Sequence, residues 1–206
     1  MSTAATTVTH THRDDTGSKL GMWLFLFTEL ILFGGMFIIY AVYRFKYGPA
    51  FRLAALELNT LVGTVNTIIL LTSSLTVALS ITAMQKGKKH FSMMLIAMTV
   101  FLALAFLVNK YFEWAHKFES GLYPQSPDLL NKPPGEIIYF GLYFTMTGLH
   151  ALHVIIGMAV LLVLLKFIAQ DRITSTNFVR LEMGGLYWHL VDIIWIFLFP
   201  LFYLIH

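Results

Sequence analysis

Residues 137–165 read IIYFGLYFTMTGLHALHVIIGMAVLLVLL, with His150 and His153 as the only ionisable side chains. The hydrocarbon core of a bilayer is crossed by about 20 residues of helix. A run this long and apolar on every face suits a membrane helix, because an open strand leaves its backbone unpaired in lipid. Four more stretches share the character. They are 20–43, whose one charge before Arg44 is Glu29; 58–85, without a charge; 91–112, with Lys110 near its end; and 183–205, with His189 and Asp192. Composition agrees, since 57% of the 206 residues are hydrophobic and 12% are charged, against about 25% charged in soluble domains. The chain is therefore expected to be an all-α membrane protein, a five-transmembrane-helix bundle over 19–206. Residues 1–18 are expected to form a flexible polar tail. That tail lacks the apolar core and cleavage site of a signal peptide, so the first span is expected to be retained.

The connections set an orientation. Arg13, Lys19, Lys86, Lys88, Lys89, Lys166, Arg172 and Arg180 fall on the amino-terminal side. Arg44, Lys46, Arg52, Lys110, Lys117 and Lys132 fall on the other. The positive-inside bias, and above all the short Lys86–Lys89 loop, places the amino terminus in the cytoplasm and the carboxyl terminus outside. Trp23, Trp188 and Trp114 are expected in the interfacial aromatic belts. The longest connection, 114–136, contains Pro124, Pro127, Pro133 and Pro134 and is expected to be a non-helical surface loop. The absence of cysteine excludes disulfides and thiolate metal centres. The net charge of +3 sits in the connections and gives no basis for nucleic-acid binding.

Polar groups within the spans carry the functional content, because an intramembrane charge is costly and needs a partner or a proton. Glu29 lies about 14 Å beyond Leu20 at 1.5 Å per residue, near the midplane. Its neighbours three and four residues away are Phe25, Leu26, Leu32 and Phe33, none able to bond to it. It is either a proton-linked or lipid-contacting carboxyl, or a buried acid held by another helix. Asn59, Asn66, Ser73 and Ser80 recur every seven residues and make one polar seam, which suits helix packing first and proton conduction second. Glu113 is expected near one interface with Lys110 and His116, reached by water, or buried if its helix extends past Lys110.

The last two spans hold a paired pattern. His150 and His153 are three apart, as are His189 and Asp192, so each pair shares a helix face. Spacing admits a metal site, a b-type haem between histidines, or a metal-free network in which Asp192 and the imidazoles satisfy one another. On the network reading, Asp192→Ala strands buried imidazoles and lowers assembly more than turnover.

Gly21–Phe25 (GMWLF), Thr28-Glu29 and Leu32-Phe33 resemble the opening helix of the five-helix core of haem-copper oxidase subunit III. Gly148–Gly157 (GLHALHVIIG) resembles that family's paired-histidine motif, and Tyr187–Trp195 (YWHLVDIIW) its Tyr-Trp-His-Phe-Val-Asp-x-x-Trp hallmark. Glu113-Trp114 and Leu71–Ser74 are similar to weaker features. The resemblance covers Gly21 to Tyr203. It implies a bacterial five-helix subunit III that has no catalytic residue, no metal and no cofactor of its own. It further implies haem and copper in partner subunits, direct packing on subunit I, a complex with subunit II, and bound phospholipid. The family's carbodiimide-reactive membrane carboxyl falls on Glu29. The mitochondrial form adds two helices that form one wall of a lipid cleft, and this chain lacks their counterparts. Quinol oxidases and nitric oxide reductases use similar subunits, while a membrane cytochrome b and a free-standing transporter are the distant alternatives.

Overall fold

The computed structural model describes residues 15–205. Residues 1–14 of the expected tail lie outside them, and helix is already present at Asp15, earlier than the tail boundary at residue 18. The elements are α1 (Asp15–Lys46), α2 (Gly48–Leu56), α3 (Thr60–Gln85), α4 (Lys89–Glu119), α5 (Pro127–Leu130), α6 (Pro134–Ala169) and α7 (Val179–Tyr203). Helices α1, α3, α4, α6 and α7 are each long and apolar enough to cross a membrane. With α2 and α5 confined to connections, the spans alternate in direction. Several spans outrun the apolar stretches that define them. The 36 residues of α6 measure about 54 Å at 1.5 Å per residue, well beyond a core of about 30 Å.

Two connections contain helix, and for 114–136 this corrects the expected non-helical loop. Segment 44–57 contains α2, whose Phe51, Ala54 and Ala55 are buried. In segment 114–136, α4 continues to Glu119 and α5 forms a further turn. Pro127 and Pro134 stand at the starts of α5 and α6, where a missing N–H costs nothing. Ser126 caps α5 by accepting from Leu129 N–H at 3.1 Å. Asn59 likewise caps α3, accepting from Leu61 and Val62 N–H, and so leaves the polar seam to Asn66, Ser73 and Ser80. The α3–α4 turn depends on Gly87, whose φ of +70° favours glycine.

Helix α7 is the axis of the bundle and packs against α3, α6 and α1, while α4 lies against α3 and α6. Of the apolar segment of α7, 56% is buried, against 11% for α1, which makes α1 the peripheral span. Close approach of α6 and α7 rests on Gly157, where an added Cβ would meet the Trp188 ring at 2.8 Å. Trp188 is thus a core residue, fully buried, and not a belt residue; Trp23 is exposed.

Candidate functional site

The partner that Glu29 lacks on its own helix arrives from α6. His153 Nε2 lies 2.9 Å from Glu29 Oε2, with the side chains 9% and 14% exposed. His153 Nδ1 is 2.8 Å from the Leu149 carbonyl, which can only accept, so Nδ1 carries a proton. One further proton is then shared between Nε2 and Oε2. The pair is carboxylate with imidazolium or acid with neutral imidazole, and its net charge is zero in either form. The Phe33 ring stands edge-on to the imidazole at 5.3 Å, and Tyr187 Oη donates to the His153 carbonyl at 3.3 Å.

Ser80 turns back to the Val77 carbonyl of its own helix, whereas the rest of the α3 seam and the polar residues beside it bond to neighbouring helices. Trp188 Nε1 donates to Ser73 Oγ at 3.1 Å and Trp195 Nε1 to Thr67 Oγ1 at 3.0 Å, joining α7 to α3. Asn109 Nδ2 donates to Asn66 Oδ1 at 3.0 Å, and Thr76 bonds to Thr99 at 2.8 Å, joining α4 to α3. Ser74 Oγ meets His189 Nδ1 at 2.6 Å.

Near the carboxyl-terminal end of the bundle lies a third cluster. Because α4 runs past Lys110 for nine residues, Lys110 and Glu113 are not solvated at an interface. Their side chains are 4% and 6% exposed, and Lys110 Nζ lies 3.2 Å from Glu113 Oε1. Tyr143 and Tyr203 both donate to that same oxygen. Lys110 also donates to Tyr203 Oη at 2.7 Å and Tyr143 Oη at 3.0 Å, and sits over the Trp195 ring. Burial of a cation here is matched by a carboxylate, two phenols and an aromatic face. Sequence reading missed Tyr143 and Tyr203 because phenols in a membrane segment read as belt residues. Their signal was a lysine and a glutamate three apart on one helix.

The expected network between the last two spans is not formed. His153 is taken by Glu29 and His189 by Ser74. The rings of Phe106 and Trp195 flank His150 at 5.6 and 5.2 Å, and neither of its nitrogens has a hydrogen-bond partner among the described residues. Asp192 shares Ser74 with His189, although neither of its buried carboxyl oxygens makes a well-formed hydrogen bond. The i, i+3 spacing did put each pair on one face, but His189 turns to Ser74 on α3, while Trp188 and Gly157 bring bulk and backbone together between α6 and α7. Among the described residues no three His, Asp or Glu side chains gather as a metal site would require.

The whole chain, residues 1–206, matches the family model described as cytochrome c oxidase subunit III. The chain belongs to that family. It is 33% identical over 199 residues to the cytochrome bo(3) ubiquinol oxidase subunit 3 of Pseudomonas aeruginosa, covering 95% of this chain and 89% of the relative. It is 34% identical over 188 residues to the cytochrome c oxidase subunit 3 of Alkalihalophilus pseudofirmus, covering 90% and 85%. A haem-copper oxidase subunit I+III of Aeropyrum pernix is 30% identical over 193 residues, 91% of this chain and 22% of that one. The last ties this subunit III family to subunit I. Family membership also fixes the chain as a multi-pass membrane protein.

Proposed function

We propose that this chain is the non-redox accessory subunit III of a bacterial haem-copper terminal oxidase in the cytoplasmic membrane, with its amino terminus in the cytoplasm. In this reading the partner subunits hold the haem and copper and reduce O2 to water with proton pumping. This chain packs on subunit I, steadies the mouth of its proton-uptake path, joins subunit II in the complex and binds phospholipid. The observation that carries the reading is the family match over the entire chain. A relative named for subunits I and III in one polypeptide supports direct packing on subunit I. The named relatives differ in electron donor at nearly equal identity, which supports donor choice in other subunits.

Orientation gains support from burial. Lys110 and Lys117 are buried within α4 and drop out of the topology count, leaving four loop cations on the carboxyl-terminal side against eight on the amino-terminal side. Glu29 and His153 then form a proton-sharing pair at the α1–α6 contact, the group best placed to influence proton uptake. A cleft of about 800 Å³ opens at the amino-terminal end between α1, α6 and α7. Met22, Phe25, Ile156 and Val160 give it apolar walls, and Arg180 lines it as well, which suits a phospholipid chain and head. Here α1 itself supplies a wall of the cleft.

Affinity purification of the tagged full chain from its native membrane is expected to bring down a larger haem-containing partner. After separation the haem absorbance should follow the partner. Stoichiometric haem or copper remaining on this chain, or recovery of the chain alone from mild detergent, overturns the reading.

A further inference from the structure

At the carboxyl-terminal end, α1 and α2 are separated by one residue, so the chain turns sharply at the membrane surface. Arg44, Lys46 and Arg52 lie on this corner, and no acidic residue occurs between Glu29 and Glu57 to offset them. Lys46 is engaged with the Tyr47 ring, 5.2 Å from its centroid. Neither arginine takes part in an ion pair among the described residues. Instead Arg44 and Arg52 line a single cleft of about 450 Å³, with Tyr40, Gly48 and Leu201. Two cations facing one cavity that offers no carboxylate among the described residues repel each other, and an anion between them removes that cost. The start of α2 lines the same cleft at Gly48, with no side-chain cap and no acid in its first turn, and adds to the positive field that the arginines create.

What borders the cleft selects the anion. Phe45, 94% exposed, also lines it. Ile38 and Val42 are exposed on α1 toward the membrane interior. The cavity is therefore continuous with a hydrocarbon-facing surface.

We propose that the α1–α2 corner binds the phosphodiester head of an anionic phospholipid between Arg44 and Arg52, with the acyl chains along Phe45 and the outer face of α1. A guanidinium offers paired N–H donors that match phosphate oxygens, and basic side chains at helix ends reach the headgroup level. The site lies at the opposite end of the bundle from the 800 Å³ cleft. It rests on the chain being a membrane protein and not on its role in an oxidase.

The test uses the full chain as purified, delipidated and titrated by native mass spectrometry with phosphatidylglycerol, phosphatidylcholine, or the soluble head analogue glycerol 3-phosphate. Phosphatidylglycerol is expected to bind in preference to phosphatidylcholine. Arg44→Gln and Arg52→Gln should each weaken it about fivefold, and the double variant about 25-fold, from the usual worth of one basic side chain at an anionic surface. Arg172→Gln, at the far end, serves as the control and should bind as the parent does. Both arginines are exposed, and unchanged melting of the double variant in phosphatidylcholine confirms that its fold is intact. Equal binding of the two lipids, or unchanged phosphatidylglycerol affinity in the double variant, overturns the proposal. Full displacement of phosphatidylglycerol by glycerol 3-phosphate at similar concentration would make the corner a free-phosphate site. Unchanged lipid binding with loss of a copurifying protein would make it a protein contact. Either result overturns the lipid assignment.

Discussion

Glu29→Leu tests the attachment of α1 to the bundle. Side-chain hydrogen bonds tie α1 to α6 and α7, among them Tyr40 to the Leu201 carbonyl and His153 with Glu29. Removing the carboxyl leaves His153 Nε2 without its partner at a site under one-tenth exposed. Leaving a buried polar group unsatisfied costs about 1–3 kcal/mol, whereas the coupling of two polar groups within a membrane averages about 0.6 and reaches about 1.7 kcal/mol. A loss of about 1–2 kcal/mol is expected, which raises the undocked population of α1 about 5–30-fold. The chain has no cysteine, so Leu26→Cys, on the buried side of α1, supplies a single reporter whose maleimide labelling rate follows undocking. Glu29→Gln retains a donor to Nε2 and should show less than half the effect in free energy. Glu29→Leu combined with His153→Leu removes both partners and should label more slowly than Glu29→Leu alone. Unchanged labelling in Glu29→Leu, or strictly additive effects in the double variant, refutes the pairing as the tie that holds α1.

Gly157→Val pushes Cβ into the Trp188 ring at 2.8 Å and should cost about 1–3 kcal/mol by overpacking, read as a lower midpoint of thermal unfolding in detergent. Lys110→Met leaves Glu113 buried without its cation and should lower folded yield by about 3–5 kcal/mol, with Lys110→Met/Glu113→Leu recovering much of it; equal yields of the single and double variants would refute the buried pair. Tyr203→Phe removes one of two phenol donors to Glu113 and should cost about 1 kcal/mol in the same unfolding assay. Asp192→Asn keeps the size of the side chain and should leave the unfolding midpoint near that of the parent, and Asp192→Ala should spare assembly, because no imidazole depends on that carboxyl for a hydrogen bond.

Five spans were legible because length and hydropathy are properties of a single stretch, and a membrane helix needs nothing else to be recognised. Elements α2 and α5 were not, since both are short and rest on tertiary burial, as with Phe51 and Leu129. The seam in α3 was visible from its seven-residue repeat, which keeps Asn66, Ser73 and Ser80 on one buried face. Which helix each seam residue meets was not visible, because partner choice depends on rotation and crossing of separate helices. The expected network of Asp192 with the imidazoles failed for that reason. Periodicity fixes a face, whereas the bulk of Trp188 and Trp195 decides where that face turns. Glu113 was underestimated because the end of α4 was placed near Lys110, and two further turns convert a solvated interface into an interior.

The polar ties also rank the helices by dependence on a partner. Helices α3, α4 and α7 are joined by Asn66–Asn109, Thr76–Thr99, Thr67–Trp195, Ser73–Trp188 and Ser74–His189. Helix α6 joins them through Tyr143 on Glu113 and through Tyr139 donating to the Phe202 carbonyl at 2.7 Å. Since each such bond is worth little alone in a membrane, a helix is secured above all by packing, and α1 is the least buried of the five spans. Its undocking should therefore respond to Glu29→Leu most strongly in the separated chain. Docking of another subunit against α1 would add packing that does not depend on His153 and so blunt the response. If assembly with the oxidase leaves the labelling ratio of Glu29→Leu to parent unchanged, then α1 is held by its own chain alone and subunit I contacts a different face.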